Sequence, residues 1–239
     1  MENRDPRLLQ TIATPYAGPY TYYLEGKRSS ISSFLEGGTH SSTGYAIAKF
    51  YNEKEFSDTH GVGTLDAIIF RYAEVLLIRA EAGAELGKDP ELDLTVNALR
   101  KRVGFNVKLT SSPATDSKLV AKHPIIKGTN ADLIREIRRE RRVELFGEGL
   151  RYADLMRWGC GERLVAPKAG MMLYTDVYTP EEIAVLKTEV GTYADGSLDV
   201  YGKRVTTPAI FESPKHYLFS LPLNEMALNP KLKPNNPGW

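Results

Sequence analysis

Few residues in this sequence could carry acid–base or metal chemistry, and their spacing matches no catalytic motif. The four histidines, His40, His60, His123 and His216, lack the HxxxH or HExxH spacing that places two zinc ligands on one helix face. The single cysteine, Cys160, cannot form an internal disulfide, and we expect it to be a buried, unreactive side chain. No GxSxG or phosphate-binding glycine loop occurs. The sequence therefore predicts a protein that is not an enzyme and that uses neither a metal nor a cofactor.

The densest concentration of charge lies at residues 132–144. This run contains five arginines and four acidic residues: Arg135, Arg138, Arg139, Arg141, Arg142, Asp132, Glu136, Glu140 and Glu144. A helix that binds nucleic acid keeps one face basic, whereas here the acids interleave with the arginines and largely cancel them. The formal net charge of the chain is +1, which gives no reason to expect binding to nucleic acid. The run therefore predicts a structural network of ion pairs.

Helical spacing assigns partners within this run, because residues three or four positions apart are neighbours on a helix. The expected pairs are Asp132 with Arg135, Glu136 with Arg139, and Glu144 with Arg141. Glu140 has no cation at these positions, so we expect it to be partly buried against a cation from another helix. The candidates for that cation are Arg71, Arg79, Arg102 and Arg151. We predict a network of Glu140, Glu144, Arg71, Arg141 and Arg151 that fixes the register between helices.

Glu140 and Glu144 also raise the question of glycoside hydrolysis, which uses a pair of carboxyl groups. One member of such a pair must stay protonated, whereas the surrounding arginines would keep both of these side chains ionised. We therefore assign the pair to the structure of the protein and not to catalysis.

Helices with apolar residues at helical spacing position this network. They are predicted at residues 66–86, 93–103, 130–146, 150–158 and 179–190. Asp66 is the expected N-cap of the first helix and Gly87 its C-terminal stop. Thr129 with Asp132 resembles a capping box for the third helix, and Thr179 is followed by a strong helix start, Pro-Glu-Glu.

Short connections within residues 66–104 and within residues 130–159 indicate two antiparallel helix pairs. The expected fold class is mainly α, with tetratricopeptide-like helix pairs, long irregular loops and minor β structure. The remaining chain is predicted to be loop-rich: residues 1–65 with one short strand at 45–51, a polar loop at 111–124, and residues 160–239 with an extended run at 217–221 and an extended, proline-rich tail from 228.

Aromatic side chains in the loops are the candidate ligand site. Tyr16, Tyr20, Tyr22, Tyr23 and Phe34 lie together in the irregular N-terminal segment. Aromatic faces pack against the apolar faces of pyranose rings, and a tyrosine hydroxyl adds a polar contact. Trp158, by contrast, lies inside a predicted helix and is assigned to the core.

Five blocks of this sequence resemble the SusD/RagB family. Residues 137–159, IRRERRVELFGEGLRYADLMRWG, are similar to the long central signature of that family. Residues 69–82, IFRYAEVLLIRAEA, and residues 97–104, NALRKRVG, resemble two of its helices. Residues 5–8, DPRL, resemble an element near the start of the matching region. The ending of the family is similar to Ser220-Leu221-Pro222 with Glu225, Asn229-Pro230 and Asn236-Pro237-Gly238. The blocks occur in the order that the family has them.

The resemblance implies a non-catalytic, nutrient-binding lipoprotein on the bacterial cell surface. Members of the family bind oligosaccharides, and in some cases peptides, and deliver them to a SusC-like TonB-dependent transporter of the outer membrane. Their fold combines tetratricopeptide-like helix pairs with loops that form the ligand face. We therefore expect an oligosaccharide ligand, a transporter partner and an outer-membrane location for the parent protein.

Neither the lipoprotein signal nor the N-terminal half of the family occurs in this chain. The resemblance therefore implies that residues 1–239 are one C-terminal SusD/RagB-type domain, soluble by itself and attached to a membrane only through a lipid anchor outside this chain. No apolar run approaches the ~18 residues that a transmembrane helix needs. The alternative function is a tetratricopeptide-type adaptor for a protein segment. A sugar binder should expose several aromatic residues on one irregular face, whereas an adaptor should have an open concave groove.

Overall fold

The computed structural model describes residues 4–12, 43, 45, 47–50, 66, 68–166, 168–172, 179–199 and 209–239. Within these ranges the protein is mostly helical, which confirms the expected fold class. The two strands of the described residues, β1 (Ala169–Met172) and β2 (Ser197–Asp199), pair antiparallel. The sequence did not predict this small sheet.

A short helix, α1 (Arg7–Thr11), comes first in the chain. The first long helix, α2 (Tyr72–Glu85), begins six residues later than the predicted start at residue 66. The predicted N-cap at Asp66 is wrong, because the N-cap is Arg71, in an extended conformation with φ of −142°. The guanidinium of Arg71 is bonded to Glu144 and Glu148, and these contacts hold the chain extended before the helix. Gly87 is the predicted stop: its φ is +65°, and the next residue, Lys88, donates its N–H to the carbonyl of Gly83 at 2.8 Å.

The partner of α2 is α3 (Val96–Arg102), which is shorter than predicted at its N-terminal end. A turn precedes it, in which the Thr95 hydroxyl donates to the carbonyls of Pro90 and Glu91 at 3.0 and 2.9 Å. The helix ends before Gly104, whose φ is +75°, as the sequence predicted.

The second helix pair consists of α5 (Ala131–Glu144) and α6 (Arg151–Arg157). The predicted capping box is wrong: the N-cap of α5 is Asn130, whose side-chain amide donates to the carbonyl of Ala84 at 3.0 Å. Asp132 instead accepts from Thr115 at 2.5 Å and from Arg135 at 2.7 Å. Tertiary contacts therefore replaced the local cap.

The main core lies where α2 packs against α5. Leu77 and Ala80 of α2 and Ile137 of α5 are completely buried there. The small side chain of Ala80 lets the two helix backbones approach closely. Burial of a leucine or isoleucine side chain contributes about 1.5–3 kcal/mol, so this seam holds the two helix pairs together.

Several elements lie in segments that were predicted to be loops. The polar loop at 111–124 contains α4 (Ser117–Lys122), capped by Asp116, whose carboxylate accepts the N–H groups of Lys118 and Leu119. In the C-terminal segment, α8 (Leu223–Leu228) precedes a 3₁₀ turn at Pro230–Leu232, so the tail is not uniformly extended. A 3₁₀ turn at Lys215–Tyr217 likewise begins the predicted extended run.

The capping box of α7 (Pro180–Glu189) is the best predicted local feature. Thr179 accepts the N–H of Glu182 at 3.2 Å, and the Glu182 carboxylate accepts the N–H of Thr179 at 2.8 Å. The predicted strand at 45–51 lies partly outside the described residues. Within them, Ile47 forms a single bridge with Ile12, and Phe50 has a φ of +69° that breaks an extended run.

Candidate functional site

Glu140 lies in the middle of α5 and is buried, with 2% of its surface exposed. Arg100 of α3 donates to its Oε2 from Nε and Nη2, each at 2.8 Å. Arg7 of α1 lies with Nη1 2.6 Å from Oε1. Glu140 thus faces cations from two other helices, but neither was a sequence candidate. Helical periodicity could have found Arg100, since it follows Val96 and Leu99 on the buried face of α3.

Glu144, one turn further along α5, is also buried and accepts from three arginines. Its oxygens lie 2.7 Å from Arg71 Nη1, 2.8 Å from Arg102 Nη2 and 3.0 Å from Arg7 Nη1. Burial alone would raise the pKa of Glu144, but the hydrogen bonds from Arg71 and Arg7 hold that pKa below its ordinary value. This carboxyl group is therefore ionised and unsuited to act as a general acid.

The predicted pair between Glu144 and Arg141 is wrong. The Arg141 guanidinium donates from Nε to both oxygens of Asp154 on α6, at 2.9 and 2.8 Å, and its Nη2 lies 3.6 Å from Glu74 on α2. Glu144 is already occupied by Arg71, Arg102 and Arg7, whereas Asp154 on the neighbouring helix accepts from Arg141 with both of its oxygens. The other two predicted pairs of α5, Asp132 with Arg135 and Glu136 with Arg139, are present.

The end of α5 and the turn after it also bond to segments that are distant in sequence. Glu148 accepts from Arg71 Nε at 2.6 Å and from Lys49 at 2.5 Å, and Lys49 also donates to the Glu144 carbonyl at 2.9 Å. Asp5 lies 2.6 Å from Arg7 Nη2. The buried charges therefore hold the chain on both sides of the tyrosine-rich segment against the helical scaffold.

Glu81 forms a second buried centre between α2, α5 and α6. It accepts from Arg138 at 3.1 Å, from Arg157 at 3.0 and 2.6 Å, and from the Trp158 indole N–H at 2.5 Å. Burial raises the pKa of Glu81, but the bonds from Arg157 and its charge outweigh burial and lower it overall. Trp158 is 2% exposed, as expected of a core residue.

A groove of about 580 Å³ opens beside this centre, lined by Ile78, Glu81, Ala82, Glu85, Arg138, Arg141, Arg157 and Trp158. Among the described residues, Arg138 Nη1 and Arg141 Nη1 have no acceptor. Both atoms are buried, so the groove does not offer them to a ligand. The indole of Trp158 is too deeply buried to offer a stacking face.

Arg151 does not join the predicted network. Its guanidinium carbon lies 5.5 Å from the centre of the Trp158 ring, and it pairs with no carboxylate among the residues that the structure describes. Arg79 likewise does not reach Glu140, because it pairs with Glu91 at the surface.

Cys160 and His123 are neighbours in the interior, with Sγ and Nδ1 3.6 Å apart. Burial raises the pKa of the Cys160 thiol, and burial with the nearby charge of Arg163 lowers the pKa of His123 to about 4. Both groups are therefore neutral near pH 7, and the thiol is not activated as a nucleophile. Among the described residues, no three His, Cys, Asp or Glu side chains come together as metal ligands.

The candidate ligand residues, Tyr16, Tyr20, Tyr22, Tyr23 and Phe34, all lie outside the described residues, so that site stays a prediction. The described part of the chain does expose other aromatic side chains. Phe70 and Tyr72 lie at the start of α2, and Phe219 and Trp239 lie in the C-terminal segment. No helix in the described ranges is long and apolar enough to cross a membrane.

Comparison with known proteins identifies the family. The sequence profile described as the SusD family matches residues 1–239. The chain belongs to the SusD family. SusD-like protein P2 of Formosa agariphila is 28% identical to this family member over 239 residues, which are 97% of this chain and 36% of that protein.

Two solved structures share the fold of this SusD family chain. A SusD-like carbohydrate binding protein from Bacteroides fragilis superposes with a TM-score of 0.65 at 28% identity, over 97% of this chain and 42% of its own. A second SusD-like protein from the same organism gives a TM-score of 0.62 at 24% identity, over 100% of this chain and 40% of its own. The chain therefore spans less than half the length of each of these relatives.

Proposed function

We propose that this SusD family chain belongs to a non-catalytic protein that binds a nutrient oligosaccharide at the bacterial cell surface. The observation that carries the proposal is the family match over the whole chain, together with a structural relative described as a carbohydrate binding protein. In this proposal the parent protein is a surface lipoprotein of the outer membrane. It delivers its ligand to a SusC-like TonB-dependent transporter. The adaptor alternative is not favoured by these relatives.

The arrangement of the buried charges supports a structural role for the helices and a ligand-binding role for the aromatic loop residues. Glu140, Glu144 and Glu81 are each occupied by two or three donors, which leaves them unavailable for acid–base chemistry but well placed to hold helices and loops. We assign sugar stacking to Tyr16, Tyr20, Tyr22, Tyr23 and Phe34. The segment that contains them is flanked by Arg7 and Lys49, which both bond to the end of α5.

The proposal is tested by calorimetric titration of the 239-residue chain with a panel of neutral and acidic oligosaccharides. We expect at least one to bind, and the double variant Tyr20→Ala/Tyr22→Ala to bind it at least about tenfold more weakly, because each stacking face contributes about 0.5–1.5 kcal/mol beyond the area that it buries. The control is Tyr72→Ala, an exposed tyrosine on the scaffold. Equal loss in the control and the double variant would reject the site, and no binding by any oligosaccharide would reject the function.

Delivery to a transporter is tested separately. We expect the parent protein to copurify from outer membranes with a TonB-dependent transporter encoded beside it. A parent protein that binds glycan but is recovered without any such transporter would contradict this part of the proposal.

A further inference from the structure

Five cations lie at the end of α4, at the end of α5, at the start of α6 and in or just after the 3₁₀ turn at Gly161–Leu164. They are Lys122, Arg142, Arg151, Arg163 and Lys168, here called the basic cluster. Cys160 Sγ lies 3.8 Å from the carbonyl of Lys122, which places the end of α4 beside the start of the 3₁₀ turn. Lys168 Nζ donates to the carbonyl of Arg163 at 3.0 Å, and Arg151 of α6 lies against Trp158, two residues before Cys160.

No carboxylate of the described residues pairs with any member of the basic cluster. Three acidic side chains on these elements are engaged elsewhere. Asp116 caps α4, Asp154 accepts from Arg141 and Arg157, and Glu162 lies 3.3 Å from the Tyr217 hydroxyl. This differs from the rest of the scaffold, where guanidinium groups such as those of Arg7 and Arg100 are bonded to buried carboxylates.

The cations of the cluster oppose one another's charge. Burial, followed by the charges of Arg163 and Arg142, lowers the pKa of Arg151 to about 10. Burial and the charge of Arg142 lower the pKa of Arg163, and the pKa values of Lys122 and Lys168 are also lowered by burial and by those two arginines. Cations that are partly withdrawn from water and close to one another are stabilised when an anion binds between them.

The geometry also fits the shape of an oxyanion. Arg151 is held in place against the ring of Trp158, which is itself fixed by its bond to Glu81. Guanidinium groups bind sulfate and carboxylate through two parallel N–H···O bonds, whereas lysine acts as a mobile point charge. Arg151 is thus the fixed member of the cluster, whereas Lys122, Arg142 and Lys168 are exposed.

We propose that the basic cluster binds an oxyanion carried by the ligand, a sulfate ester or a carboxylate on an acidic oligosaccharide. This inference rests on the proposed function, because it is the proposed glycan that carries the anion to this surface. It extends that function by naming the charge of the glycan. The shared chemistry is a group with two or three anionic oxygens.

The test compares charged glycans with their uncharged counterparts on the 239-residue chain. The probes are dextran sulfate oligosaccharide against dextran oligosaccharide, and oligogalacturonate against its methyl ester. We expect one of the charged probes to bind more tightly than its neutral counterpart, and the affinity to fall as salt is raised. The double variant Arg142→Gln/Arg163→Gln should weaken that binding at least about tenfold, because hydrogen bonds to charged groups are among the stronger ones.

The matched control is Arg79→Gln/Lys88→Gln, which removes the same charge from exposed positions on the α2 side. This control should bind the charged probe as the wild type does. Folding is checked by thermal unfolding. Because Arg142 and Arg163 make no side-chain bond to the described residues, their replacement should not lower the melting temperature.

Each outcome decides the inference. Equal binding of charged and neutral probes, or equal binding of the charged probe by wild type and double variant, overturns it while leaving glycan binding intact. Binding of neutral glycans alone does the same. Binding of phosphatidylglycerol vesicles or inorganic sulfate without either charged glycan assigns the cluster to a lipid surface or a free anion and also overturns it. If no glycan in the wider panel binds, both this inference and the proposed function are wrong.

Discussion

The substitution Glu140→Gln removes one negative charge from the buried centre of the scaffold with little change in shape. Arg7 and Arg100 then face a neutral amide, and both arginine side chains are 5% exposed. At charge separations of about 4 Å and an effective dielectric constant of about 20, each attraction is worth about 4 kcal/mol before the cost of desolvation. Arg7 keeps its bonds to Asp5 and Glu144, so the loss falls mainly on Arg100. Breaking a buried ion pair costs about 3–5 kcal/mol, and we expect about 3 kcal/mol here.

The assay is urea unfolding followed by far-ultraviolet circular dichroism. With a denaturant slope of about 2 kcal/mol per molar, the expected loss moves the unfolding midpoint down by about 1.5 M. The matched control is Glu85→Gln, whose side chain is 44% exposed and bonded to Arg138 at 2.9 Å, and which should cost less than about 1 kcal/mol.

A double-mutant cycle adds a check on the cause. Arg100→Gln combined with Glu140→Gln should cost less than the sum of the two single substitutions, because the second removes a charge that the first left unpaired. A loss of no more than about 1 kcal/mol for Glu140→Gln, or strict additivity in the cycle, would refute the assignment of Glu140 as a buried ionic link between helices.

Three further predictions concern stability. The pKa of His123 is lowered to about 4 from 6.5, so the unfolded chain takes up a proton first as the pH falls. The stability that neutral His123 confers is thus present above pH 6.5 and is lost as the pH falls from 6.5 to about 4. In urea unfolding, the free energy of unfolding of His123→Gln should fall less between pH 7 and pH 5.5 than that of the wild type. An identical fall in both proteins would contradict this prediction. Gly83→Ala should lower the melting temperature despite the higher helix propensity of alanine, because the new Cβ would lie 2.9 Å from Pro90 Cα; an increase would show that the following turn can move. Thr179→Ala should cost about 1 kcal/mol of helix stability by removing the capping box. Amide hydrogen exchange at Glu182 should become faster, and an unchanged exchange rate would argue against this prediction.

The sequence predicted the ends of helices correctly where residues close in sequence set them. The capping box at Thr179 needs only residues three positions apart, and the stops at Gly87 and Gly104 need only a residue that tolerates positive φ. The same reasoning failed at Asp66 and Thr129. There, Arg71 and Asn130 bond to atoms distant in sequence, and these tertiary contacts set the helix start.

The charged run of α5 shows most clearly what the sequence determines and what the tertiary structure decides. Its interleaved signs alone indicated an ion-pair network, and its pattern of residues placed the chain in the SusD family. Only the tertiary structure decided the partners: Arg100 and Arg7 for Glu140, and Asp154 for Arg141. Sequence spacing ranks neighbours on one helix, whereas a buried charge binds whichever opposite charge the packing of other helices brings within hydrogen-bond distance. The basic cluster depends on the fold in the same way, because its cations come from separate elements and none pairs with a carboxylate among the described residues.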